Sequence, residues 1–168
     1  MKQLLLFLFL AVTASANAQN VSIESLRKAY YKLDTDSAAC AALHKKLSKT
    51  ITSDNTIIGY KGAVSACMAN HAKARQQKIM LFNDGKKLLE QAIAADTANA
   101  ELRFLRFTIQ ASCPKALGYN KQIETDKNFI LKNGTALKDA TLKKSIGDYM
   151  AASAYLTEAE KAKAKQIR

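Results

Sequence analysis

The chain has 168 residues and a formal net charge of +12 at pH 7, from 26 Lys and Arg against 14 Asp and Glu. Its basic residues are spread between apolar positions along the whole length, as solvated helix faces are, which argues against a nucleic-acid partner. Such a charge sets solubility and weak contact with anionic lipid, polysaccharide or acidic partners before it selects any one of them.

The first eighteen residues, MKQLLLFLFLAVTASANA, read as an export signal. Lys2 supplies the positive end, Leu4 to Val12 the apolar segment, and Ala16-Asn17-Ala18 the small-residue cleavage site. The apolar run is about half of the ~20 residues that span a bilayer, so no transmembrane anchor is expected after cleavage. The residue immediately after the cleavage site is Gln19 and not a cysteine, which argues against a lipid-anchored product. Cleavage after Ala18 predicts a mature chain that starts at Gln19 and is periplasmic or secreted. Residues 19–168 then form a single helical domain, large enough to bury roughly 68 to 70% of its unfolded surface.

One proline and six glycines leave little punctuation, and strands are scarce. Ile23, Leu26, Tyr30 and Leu33 recur on one helical face, and Asp34 to Ser37 supplies cap residues for a second helix running to about Ile51. Thr52-Ser53-Asp54-Asn55 is a polar turn, and a third helix runs from about Thr56 to His71. His71 to Lys78 reads as a basic connection, because it holds no apolar residue larger than alanine. A fourth helix is predicted over about Ile79 to Ala95, and Asn99 caps a fifth, Ala100 to Ser112, which Pro114 stops. After a turn at Leu117-Gly118-Tyr119, a sixth helix carries Ile123, Phe129 and Ile130 and ends at Asn133-Gly134. A seventh covers about Ala136 to Ala154, and Thr157 to Glu160 forms a capping box that opens a lysine-rich last helix. The expected fold is all-α, with seven or eight helices in stacked antiparallel hairpins.

Gly85, Leu89, Ala92 and Asp96-Thr97-Ala98-Asn99-Ala100-Glu101 resemble the second helix of a tetratricopeptide repeat and its exit turn. A longer stretch is similar to a family of uncharacterised exported helical proteins of flavobacterial type. That similarity is carried by Ile58-Gly59-Tyr60-Lys61-Gly62-Ala63, by Met68-Ala69-Asn70-His71, and by Asn99 to Phe107 through Gln110, Pro114, Leu117, Gly118 and Tyr119. It implies a helical fold and an envelope location, and no activity.

Three cysteines in an exported chain leave one over. Cys40 and Cys67 stand at equal distances from the turn near residues 53 and 54, so an antiparallel hairpin brings them level. A disulfide between them would close a loop of about 28 residues, worth roughly 3 to 3.5 kcal/mol in the chain-entropy model. The alternative is a pair of buried reduced thiols, since an oxidising compartment permits bonds without requiring them. His44 and His71 each follow one of these cysteines by four residues, which brings a two-thiolate, two-imidazole site to mind. In that register, however, the imidazoles start about 12 Å apart along the axis at 1.5 Å per residue, so no metal site is assigned. No cofactor pattern is present either. Two histidines and no nucleophile-elbow, zinc-protease or phosphate-loop pattern argue against an enzyme.

Arg103, Arg106 and Gln110 fall at i, i+3 and i+7 of the fifth helix, a polar stripe on a helix otherwise almost wholly apolar. A guanidinium in such surroundings needs an acceptor. Either Glu90, Glu101, Glu124 or Asp126 supplies it in an internal network, or the two arginines, with Gln110 and Tyr119, face a groove that receives an acidic ligand or a partner's carboxylate. The expectation is a non-enzymatic module that binds a protein or peptide partner in the cell envelope, because stacked hairpins form concave surfaces. The alternative is a binder of a small acidic ligand or of an anionic envelope surface.

Overall fold

The computed structural model describes residues 21–168, so the predicted signal and its cleavage site lie outside the described residues. Those residues form eight α-helices and no strand, as the apolar periodicity predicts. They are α1 (Ile23–Tyr30), α2 (Ser37–Ser48), α3 (Asn55–His71), α4 (Arg75–Ala95), α5 (Ala100–Ser112), α6 (Ile123–Asn133), α7 (Ala140–Ala152) and α8 (Glu158–Ala164). Short polar side chains set most of the starts. Asp36, Asp54, Asn99 and Asp139 each accept a first-turn backbone N–H, and Thr157 with Glu160 closes the capping box of α8.

Three boundaries differ from the sequence expectation. The basic stretch before Ile79 is the first turn of α4, which begins at Arg75. Arginine, glutamine and lysine are good helix formers, so their lack of apolar weight marked exposure and not a loop. Helix α2 stops at Ser48 and leaves Ile51 outside the core, 96% exposed. Helix α7 starts only at Ala140, after the Asp139 cap. Gly134 is also no left-handed cap: its φ is −61°, and it opens a short 3-10 turn, Gly134–Ala136.

Helices α3 and α4 form the most extensive helix pair. Gly62 and Gly85 make this possible, for a Cβ on Gly62 would stand 2.6 Å from the Gly85 carbonyl oxygen, and one on Gly85 would stand 2.6 Å from the Ala66 nitrogen. The small-large alternation at Gly85, Leu89 and Ala92 thus serves close helix packing.

Two apolar clusters meet on α5. Leu102, Leu105 and Ile109 belong to the cluster built from α1 to α4, whereas Phe104 and Phe107 belong to the one built with α6, α7 and α8. A helix buried on both sides in this way positions everything else, and its polar groups must be satisfied internally. No helix among the described residues is long and apolar enough to cross a membrane.

Candidate functional site

The polar stripe of α5 lands against α4 and α6. Arg106 donates from Nε and Nη2 to the two oxygens of Asp126, at 2.7 and 2.8 Å, and from Nη1 to Glu90 at 2.6 Å. Burial works against the Arg106 charge, but the Asp126 hydrogen bonds and the two carboxylates outweigh it and hold the guanidinium above its ordinary pKa. Arg103 donates to Asp126 at 3.2 Å and to the Thr97 carbonyl at 3.2 Å, with its guanidinium 5.1 Å from the Phe129 ring centre. Tyr119 donates to the other Glu90 oxygen at 2.6 Å, so Glu90 joins Tyr119 to Arg106. Burial, followed by the Glu90 contact, raises the Tyr119 phenol.

Gln110 is apart from this set: it donates to the Gln122 side chain at 3.0 Å, and its own oxygen is buried without a partner. The structure therefore brings Arg103, Arg106 and Tyr119 into one network with Glu90 and Asp126, and leaves Gln110 beside it. Every nitrogen of Arg106 already meets a carboxylate of the protein itself.

A second network was not legible beforehand. Arg27 of α1 grips both oxygens of Glu101, at 2.8 and 2.7 Å, and reaches Asp139 at 2.9 Å, while Tyr60 donates to Glu101 at 2.8 Å. It ties α1, α3, α5 and the start of α7 together. The one signal was position: Arg27 is four residues from Ile23 and three from Tyr30, hence on the apolar face of its helix.

An apolar concave feature lies on the other side of α5. A cleft of about 420 Å³ opens between α1, α3, α4, the end of α5 and the turn after it. Its apolar wall is made by Ala66, Ala69, Phe82, Ile109 and Leu117, and Tyr31, Ile79 and Leu117 remain partly exposed at its edge. Its buried hydroxyls, Tyr30 and Thr108, and the Cys113 thiol are already paired. The Thr108 hydroxyl donates to the Leu105 carbonyl at 2.8 Å, so Tyr30 must be the donor in its 2.7 Å bond to Thr108. Cys113 donates weakly to the carbonyls of Gln110 and Tyr119.

Two thiols line the cleft, and neither is activated. Burial, helped by Asp34 and Cys40, pushes Cys67 up to about 12, and burial also raises Cys113 and Tyr149. At neutral pH the interior is thus uncharged. The charges sit at the mouth, where Asp34 lies on the α1 side and Arg75 and Lys78 lie on the first turn of α4. All three are exposed, and none takes part in an ion pair among the described residues.

The expected Cys40–Cys67 pair is present as two free thiols in one core cluster, and no bond joins them. Burial pushes Cys40 up to about 11 and Cys67 to about 12, which disfavours the thiolate that disulfide exchange requires. His71 donates from Nε2 to the Leu33 carbonyl at 2.7 Å, which ties the end of α3 to the α1–α2 turn. Among the described residues, no cluster of three or more His, Cys, Asp or Glu could hold a metal ion.

Comparison with known proteins finds no matching family, no matching curated protein and no matching solved structure.

Proposed function

We propose that this chain is an exported, non-enzymatic binding module that takes an apolar group of its ligand into the cleft between α1, α3, α4 and α5. The cleft carries the reading. Its volume of about 420 Å³ falls within the roughly 300 to 1,000 Å³ usual for ligand sites. Its buried hydroxyls, Tyr30 and Thr108, are satisfied within the protein, so an occupant of the interior meets mainly methyl groups, rings and thiols. Protonated thiols at neutral pH, with neither histidine on the lining, support binding over catalysis. Export rests on the pattern of the first eighteen residues.

The ligand is a protein or peptide partner that inserts apolar side chains, for which the exposed edge formed by Tyr31, Ile79 and Leu117 extends the contact beyond the cavity. A second reading, a small ligand held whole, is favoured by the fit between the cavity and a single small molecule. A photoreactive residue at Leu117, exposed to envelope extract, separates the two. A discrete crosslinked protein, lost when Ala116→Trp narrows the cleft, supports the partner reading. Protection of Cys113 from alkylation by the small-molecule fraction alone supports the second. If Ala116→Trp changes neither crosslinking nor alkylation, the cleft is not the binding site.

A further inference from the structure

We infer that the cleft selects a single-chain carboxylate amphiphile, with its apolar body inside and its carboxylate at the α4 lip between Arg75 and Lys78. This rests on the second reading above, a small ligand held whole in the cleft, and adds the chemistry of that ligand.

Three observations carry it. Arg75 and Lys78 are three residues apart on one helix, so they project on the same face, and both border the cleft. Neither has an acidic partner among the described residues, unlike Arg27, Arg103 and Arg106, whose carboxylates the protein supplies. Asp34, which follows α1, also lines the cleft and repels an anion on its side, which favours the charge towards α4 and the body towards Thr108.

The arithmetic of the mouth chooses the charge. Two cations against one anion leave a single positive charge, matched by a monoanion. A phosphate monoester, at about −1.5 to −2, overshoots it. The size is limited by the cavity: about 420 Å³ lies in the lower part of the roughly 300 to 1,000 Å³ usual for small-ligand sites, which favours a single chain over a multi-chain lipid.

The test uses the mature chain and the neutral fluorescent probe N-phenyl-1-naphthylamine, displaced by sodium decanoate, decan-1-ol, decyltrimethylammonium or decyl phosphate, each below its micellar concentration. Decanoate should displace the probe at concentrations at least about fivefold lower than decanol does, although the alcohol is the more readily desolvated. Arg75→Gln with Lys78→Gln should abolish that preference and leave probe affinity unchanged. Lys163→Gln with Lys165→Gln, on the α8 side, should leave the preference intact, and Asp34→Asn should increase it. Equal displacement by decanoate and decanol overturns the inference, as does a stronger effect of decyltrimethylammonium or decyl phosphate, or a preference that survives the Arg75 and Lys78 changes. Probe binding that is insensitive to both Ala116→Trp and Ile79→Trp, in variants whose melting and circular dichroism match the parent, instead sinks the cleft as the ligand site.

Discussion

Arg106 and Asp126 close on each other through two hydrogen bonds, at 2.7 and 2.8 Å, from helices twenty residues apart in sequence, and the carboxylate is wholly inaccessible to solvent. Asp126 also receives Arg103, so one carboxylate answers two guanidinium groups. Removing it leaves the buried Arg106 with Glu90 alone and takes the one carboxylate partner from Arg103. Asp126→Ala should therefore cost roughly 3 to 5 kcal/mol. For a domain of this length that is a fall in melting temperature of about 6 to 20 °C, at some 2 to 4 °C per kcal/mol. Replacing the pair together, as Arg106→Met with Asp126→Leu, should cost much less, because the charges that then lose a partner, Arg103 and Glu90, are both partly exposed and Glu90 keeps the Tyr119 hydrogen bond. If the single and double variants melt alike, the bond is not what holds α5 to α6.

Gly62 and Gly85 give a prediction whose sign opposes helix propensity. Alanine in place of a mid-helix glycine normally gains up to about 1 kcal/mol. Here the added methyl meets backbone atoms of the facing helix, which cannot rotate away as a side-chain tip can. Gly62→Ala and Gly85→Ala should each destabilise by about 1 to 3 kcal/mol, the usual range for overpacking. Chemical unfolding with an unchanged slope checks this; stabilisation by either alanine would mean that α3 and α4 are less closely packed than described.

The helices were legible because their apolar spacing and their Asp, Asn and Thr caps are local properties, readable within one turn. The crowded α5 was legible too, since Arg103 and Arg106 interrupt an otherwise apolar surface. Which carboxylates answer them was not. Glu90 and Asp126 do, whereas Glu101 serves Arg27 and Glu124 pairs with Lys127, and the choice depends on helix crossings that no local pattern encodes. The cleft was illegible for the same reason. Its lining comes from α1, α3, α4 and α5, and the alanines that leave room on α3 look in sequence like ordinary packing residues. Arg75 and Lys78 were read as part of a loop, which hid the fact that they share a helix face.

The three thiols should react in an order set by exposure. Cys40 and Cys67 are buried, with burial pushing them up to about 11 and 12, whereas Cys113 is partly exposed at the cleft. Since the thiolate is the nucleophile, both buried cysteines should alkylate slowly near pH 7.5, and Cys113 should be modified first. Mass spectrometry of the native protein under a time course of N-ethylmaleimide resolves the order. Earlier loss of the Cys40 or Cys67 peptide would contradict the burial of the α2–α3 contact.

Glu160 should set an acid limit for the attachment of α8. Its carboxylate accepts the Thr157 backbone N–H at 2.8 Å and meets Lys127 at 3.0 Å, and these contacts, the backbone bond first, lower its pKa from 4.5 to about 2. A carboxylate depressed in the folded state adds stability that is complete above its unfolded pKa and is lost as pH falls towards the folded value. The contribution of Glu160 should thus be intact above about pH 4.5 and should disappear between there and about pH 2. Lys127 of α6 meets Glu160 as an ion pair only while that carboxylate is ionised, so the α6–α8 contact should loosen over the same interval. Carbon-detected NMR titration of Glu160 reads its midpoint directly, and amide exchange of α8 reads the consequence. Glu160→Gln should hasten exchange at pH 6 and flatten its dependence down to pH 2. A Glu160 midpoint near 4.5 would show that the capping box and the Lys127 contact do not hold this end of the chain in solution.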